Sequence, residues 1–189
     1  RASHPRLATL DTRFDPGSNI LAIHRNGRRV VAADPGNAAG RAVLSEFFAA
    51  FLGAGPSGRP QLVEEAEAAF LDQPRPLISL VGTGSLAEVE RLARRPIGLE
   101  QLRTNLLVAG LPPWRELGWV GAHLRVGNAV LRVVEVLVRH RPLADPVTGR
   151  VDMVVPLKLA AAFGHRCLGV LAEVVEGEEV ELGDVVEPA

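Results

Sequence analysis

The sequence predicts a mainly β, barrel-like fold with a few peripheral α-helices. Short apolar–polar stretches punctuated by Gly, Asn and Pro turn signals fill most of the chain. Helical periodicity is confined to a few segments, and the many short strands favour a closed or curled sheet. A length of 189 residues suits one domain with a sizeable core, here 1–189, and leaves little room for a second.

The elements follow in order. Arg6 to Phe14 and Asn19 to His24 read as strands separated by the turn Asp15–Ser18. Asn26-Gly27 is a two-residue hairpin signal leading into a strand over Arg28 to Ala33. From Ala39 to Leu52 the period becomes helical, with Val43, Phe47 and Phe51 on one face and Gly53 as the stop. Gly53 to Pro60 is an exposed loop, and Gln61 to Leu71 is open between helix and strand. Leu77 to Val81 is a buried strand. The helix Leu86 to Arg94 follows, with Ser85 and Glu88 as a capping box. Further strands are expected at Asn105 to Val108, Gly121 to Val126, Ala129 to Leu137, Gly169 to Val175 and Glu179 to Val186. A helix over Pro156 to Phe163 starts on its proline and stops at Gly164.

Composition excludes several classes. A formal net charge of -1 argues against a nucleic-acid partner, which needs a basic excess. No apolar run reaches the ~18 residues of a membrane span, and no signal-peptide core stands near Arg1. A single cysteine, Cys167, cannot make an internal disulfide, which fits a cytoplasmic location. The sequence starts at Arg1 without an initiator Met, so a short native N-terminus is expected to precede it. Neither zinc-type cysteine spacing nor a Gly-x-Ser-x-Gly elbow occurs, and no metal ligand set is expected.

One series of motifs is more informative. It runs through Leu77–Leu80, Gly84–Leu86, Leu102–Leu106, Gly110 and Pro113, then Glu116, Trp119–Gly121 and Leu124–Gly127. It continues with Asp145–Gly149, Val155-Pro156, Leu159, Phe163–His165, Leu168–Val170 and Gly183-Asp184. In order and spacing this resembles the MOSC domain, clearest from Asp72 to Asp184, with the β-rich N-terminal segment 1–71 integral to it. The resemblance implies a β-barrel-like fold similar to the pyruvate-kinase β-barrel domain. It also implies a pocket for a molybdenum-pterin cofactor or a related oxyanion, with pyridoxal phosphate binding as a further family-level term. It favours a strand over Gln61 to Leu71. In members that transfer sulfur or reduce N-hydroxylated compounds, a cysteine after an arginine serves as sulfur carrier or metal ligand. Only a soft thiolate does both.

Here that place reads Val138 to Asp145, and either alignment puts Arg139 or His140 where the cysteine would be. Gln101 stands where the family usually has an arginine, and Ala68 where it has a histidine, although Phe70 and Asp72 match. The resemblance implies cofactor binding by Arg103, Asn105, Arg139, His140, Arg141 and His165. A guanidinium forks onto phosphate oxygens, and Asn orients that fork. His140 is the catalytic candidate, as an imidazole ligand or proton carrier; the rival is a histidine that only fills the slot. His165, Asp145 and Asp184 have structural readings as helix-end and turn residues, and Cys167 as a small buried one. Trp114, Glu116 and Trp119 form a turn-and-strand entry, packed or lining a pocket.

Gly82–Ala87 formally matches the dinucleotide-binding pattern G-x-G-x-x-A after a strand. The rest of that fold is missing, since Glu100 precedes its strand and β structure follows. Three functions remain open: a binding protein or carrier for the cofactor; a sulfurase- or reductase-like enzyme in which His140 or a partner's thiol replaces the cysteine; and a non-catalytic interaction module. The enzyme would need a cysteine-desulfurase or redox partner.

Overall fold

A computed structural model describes residues 4–53, 58–63, 75–140, 143–145, 147–177 and 179–189, without the side chains of 100, 152 and 153. They group into two compact units, one drawn from Arg1–Ala69 and Ala144–Val151, the other from Phe70–Leu143 and Asp152–Ala189. The fold is mainly β.

In the first unit, β1 (Asp11–Asp15), β2 (Ile20–Arg25) and β3 (Arg28–Ala33) form an antiparallel sheet in that order. Asn26 and Gly27 both take positive φ, 51° and 74°, as a type I′ hairpin requires. Leu21, Ile23, Val31 and Ala33 share one sheet face and pack with Leu44 and Phe51 of α1 (Ala38–Leu52). Asn37 caps α1 by accepting from the Gly40 N–H at 2.8 Å, and Gly53 at φ 76° ends it. The expected strand over Arg6 to Phe14 begins only at Asp11. Pro5–Thr9 is a 3-10 turn instead, because Pro5 fixes φ near the helical value and donates no N–H to a ladder.

The second unit contains β4 (Ile78–Gly82), α2 (Thr83–Ala93), α3 (Leu99–Leu102), β5 (Leu106–Val108), β6 (His123–Val126) and β7 (Ala129–Val138). It also contains α4 (Val155–Phe163), β10 (Cys167–Glu176) and β11 (Val186–Pro188); the short strands β8 (Leu143–Ala144) and β9 (Val151–Met153), each divided between the two units, pair with each other. A curled six-stranded sheet runs β11-β6-β7-β10-β4-β5, with only β4 and β5 parallel. Along β7, Ala129, Leu131 and Val133 point into the core while Arg132 points out, the two-residue period of a half-buried strand. Register shifts between β7 and β10 supply curl. One core cluster centres on Leu80, Leu124, Leu131 and Val170. The other joins Val81, Leu86, Leu102, Leu159 and Leu168 beneath α2 and α4.

Two expectations need correction. The strand over Glu179 to Val186 shrinks to Val186–Pro188, since Gly183 at φ 103° and the Asp184 carboxylate, accepting from the Glu181 N–H, make a turn there. Helix α2 starts at Thr83 with Gly82 as its cap, so Ser85 lies inside the first turn and caps nothing. Gln61 to Val63 have no regular structure; the rest of the Gln61 to Leu71 segment, with Ala68, Phe70 and Asp72, lies outside the described residues.

Gly169 lets β10 lie against β4. Its φ is 88°, and a Cβ there would meet the Leu80 carbonyl oxygen at 2.3 Å. Gly169→Ala should therefore lower unfolding stability by about 2 kcal/mol or more in urea titrations, a backbone-strain and clash effect.

Candidate functional site

The centre of the second unit is a buried carboxylate. Glu116, in the 3-10 turn Arg115–Trp119, is fully buried (0% exposed). Its Oε1 accepts from the Gly82 N–H at 3.2 Å and its Oε2 from the Ser85 hydroxyl at 2.9 Å. Ser85 Oγ in turn accepts the Trp114 N–H at 2.7 Å. The carboxylate thus sits at the N-terminus of α2, where free N–H groups and the helix dipole favour negative charge. Space around it is tight: a Cβ at Gly82 would stand 3.0 Å from Glu116 Oε2, and one at Gly84 would clash with the Leu111 carbonyl oxygen at 2.4 Å. The place where a dinucleotide-binding turn would receive a phosphate is filled from within the chain.

The arginines named from the sequence lie at the C-terminal end of β7. Arg139 donates from Nη1 to the Leu102 carbonyl at 3.0 Å, and its backbone N–H donates to the Arg166 carbonyl at 2.8 Å. Its Nε and Nη2 are buried and have no partner among the described residues. Burial, and next the positive charge of nearby Arg103, push its pKa down from the usual arginine value to about 10. Arg103 ends α3 in the left-handed conformation, φ 53°, and is exposed. Two of the named arginines are therefore brought together. At about 1.4 kcal/mol per pH unit, holding Arg139 charged in the folded chain costs on the order of 3 kcal/mol. That cost applies below pH about 10 and fades as the pH climbs towards the unfolded-state value, because the unfolded chain holds this proton more tightly.

The other named residues divide. His140 follows Arg139 and is exposed. Arg141 lies outside the described residues. Asn105 pins β4 to the start of β5: its Oδ1 accepts from the Ser79 N–H and hydroxyl, both at 2.9 Å. Gln101, in the place of a family arginine, accepts from the Gly98 N–H at 3.2 Å and so braces α3. His165 follows Gly164, which stops α4 at φ 74°, and its Nδ1 accepts the Cys167 N–H at 3.2 Å. Cys167 is half-buried and opens β10, with Val138 as its cross-strand partner. Asp145 accepts from the N–H groups of Val147 and Thr148 within its own turn, and Asp184 binds locally as well.

Sequence reasoning leaves two features unassigned. Glu116 reads there only as part of a turn-and-strand entry with Trp114 and Trp119, because its bonds cross 31 and 34 positions that no motif spacing links. The aromatic group is the other. Trp114 lies 4.7 Å from Phe163 and 5.1 Å from His165, ring centre to ring centre. Among the described residues, no group of His, Cys, Asp and Glu side chains could hold a metal ion, and no helix is long and apolar enough to cross a membrane.

Comparison with known proteins gives one result. A family model described as "MOSC domain" matches residues 70–187, more than half of the chain. No curated protein matches the sequence.

Removing the buried carboxylate tests the centre of this arrangement. Glu116→Leu strands the Gly82 N–H and the Ser85 hydroxyl and should cost about 2–4 kcal/mol of unfolding stability. Glu116→Gln retains an acceptor and should lose clearly less. Equal losses in chemical denaturation would show that the two hydrogen bonds are not what the carboxylate contributes.

Proposed function

The chain belongs to the MOSC domain family, and from that premise we propose that it binds an anionic ligand of the molybdenum-cofactor class, a pterin phosphate or a related oxyanion. The observation that carries this reading is Arg139: a buried cation whose Nε and Nη2 are without a partner among the described residues, beside a second arginine. Burying a charge without a counter-ion is destabilising, and an anion supplies both the missing charge and the missing acceptors. The MOSC family is associated with molybdenum cofactor, and this donor set fits the oxyanion part of such a group.

In this reading Arg139 holds two oxygens of the anion through Nε and Nη2, while its Nη1 stays on the Leu102 carbonyl and fixes the fork. Arg103 adds a second positive charge from the end of α3, and His140 and Arg141 flank the site in sequence. Asn105 acts one step away, by locking the β4–β5 junction that carries Arg103. When bound, a molybdenum centre would supply oxygen- or sulfur-transfer chemistry. The chain's own thiol is Cys167, and its pairing with Val138 sets it next in the ladder to Arg139. That placement keeps a sulfurase- or reductase-like reading in play as the second hypothesis, with His140 or a partner's thiol as the alternatives to Cys167.

Binding is tested by incubating the protein with molybdopterin cofactor, desalting it, and measuring molybdenum and pterin fluorescence. Retention is expected, and it should survive His140→Ala but not Arg103→Ala or Arg139→Met. No retention by the unaltered protein overturns the proposal and leaves an interaction module. Arg139→Met should also raise the melting temperature, since it removes a buried unpaired charge. The affinity for inorganic phosphate should fall as the pH rises through about 10, where Arg139 loses its proton, whereas an ordinary arginine would keep it. For the enzymatic reading, Cys167→Ser should abolish sulfur transfer or N-hydroxyl reduction while leaving retention intact.

A further inference from the structure

We propose that the chain associates with a second copy of itself, the arginine-rich hairpin of the first unit in one copy docking on the acidic end of the second unit in the other. The basic surface is built on a ring. The guanidiniums of Arg6 and Arg25 lie over Phe51, 4.9 and 5.4 Å from its centre, and this cation–π contact holds two positive charges beside one another. Across the β2–β3 ladder Arg25 faces Arg28, and His24 faces Arg29. Like charges opposite each other destabilise a ladder unless something neutralises them. Arg6, Arg25, Arg28 and Arg29 are all exposed. None of them makes an ion pair among the described residues, whereas Arg13, Arg91 and Arg132 each hold a carboxylate.

The complement lies in the same sequence. From Glu173 to Glu187 stand seven acidic residues and no basic one. Glu176, Glu179, Glu181 and Glu187 are exposed and have no ion pair among the described residues. Val174 and Val175 on β10, and Leu182 and Val185 beyond it, are exposed as well, Leu182 completely. Apolar side chains set among carboxylates gain by being covered, and Phe14 and Val30 offer apolar surface on the basic sheet. Net charge separates the partners. At a formal charge of -1, two copies approach without overall repulsion, and their segregated charges orient them. A nucleic acid or an anionic membrane would be repelled by the acidic end. Each copy carries both surfaces, so the contact made twice closes a dimer.

Sedimentation velocity of the full chain reads the association. It should be present in dilute salt and weaken about tenfold between about 0.05 M and about 0.5 M NaCl, as contacts between exposed charges are screened. Arg25→Glu with Arg28→Glu should leave a monomer, and so should Glu179→Arg with Glu181→Arg. An equimolar mixture of these two variants should associate again, because each reversed surface then meets its reversed complement; circular dichroism checks that both are folded. Unaltered protein that stays monomeric in dilute salt at about 0.1 mM overturns the inference, since the affinity would be too weak to matter. Association indifferent to both reversals, or two folded variants that fail to restore it together, overturns it as well. A monomer that sediments with phosphatidylserine vesicles through Arg25 and Arg28 gives the hairpin to a membrane instead, and equally ends the proposal.

Discussion

The carboxylate of Glu116 is the constraint on which the second unit depends. It is fully buried, without a cation among its hydrogen-bond partners, and it is satisfied by a backbone N–H, a serine hydroxyl and the end of α2. Burial on such terms is tolerable only where the donors are fixed in advance. Three features of the sequence then serve it. A side chain at Gly82 would crowd the carboxylate, Gly84 must lack one to pass the Leu111 carbonyl, and Ser85 presents a hydroxyl that donates to Glu116 while accepting from Trp114. The strand β4, the helix α2 and the 3-10 turn are joined at one point, and the left-handed Trp114 follows from it.

The same contact redirects the chemistry of the unit. A glycine-rich turn between a strand and a helix is ordinarily a place for a ligand's phosphate. Here the helix N-terminus faces the protein's own acid. The positive charge lies at the end of β7 and the end of α3, where burial, and then the nearby Arg103, depress the pKa of Arg139. One end of the unit is satisfied internally, and the other is left short of acceptors among the described residues.

Most of the β architecture was legible because it is written in short-range terms. The Asn26-Gly27 hairpin, the period-two burial of β7 and the three longer helices with their Gly53 and Gly164 stops all depend on residues a few positions apart. The errors came where a local pattern competed with a distant partner or with backbone geometry. Ser85 and Glu88 have the spacing of a capping box, yet Ser85 is claimed by Glu116 from 31 positions away. The run Glu179 to Val186 alternates like a strand, but a glycine at φ 103° folds it. At the candidate site, Arg103 and Arg139 could be named from motif order. Their proximity, and the two orphaned nitrogens of Arg139, depend on α3 and β7 meeting in space, which no spacing reveals.

The absence of the usual cysteine takes on a different meaning beside that buried guanidinium. Burial, and then the charge of Arg103, hold the Arg139 pKa down at about 10, so keeping it charged costs the fold on the order of 3 kcal/mol that an apolar residue in its place would not. Arg139 keeps its guanidinium buried all the same, with Nη1 held on the Leu102 carbonyl and Nε and Nη2 without an acceptor among the described residues. Sulfur transfer is a separable requirement. It needs a thiolate, and the chain's only thiol enters at β10, across from Val138, and not in the segment that carries Arg139 and His140. In the proposed reading the anion is held from the ends of β7 and α3, while the thiol stands on β10, one position away in the ladder.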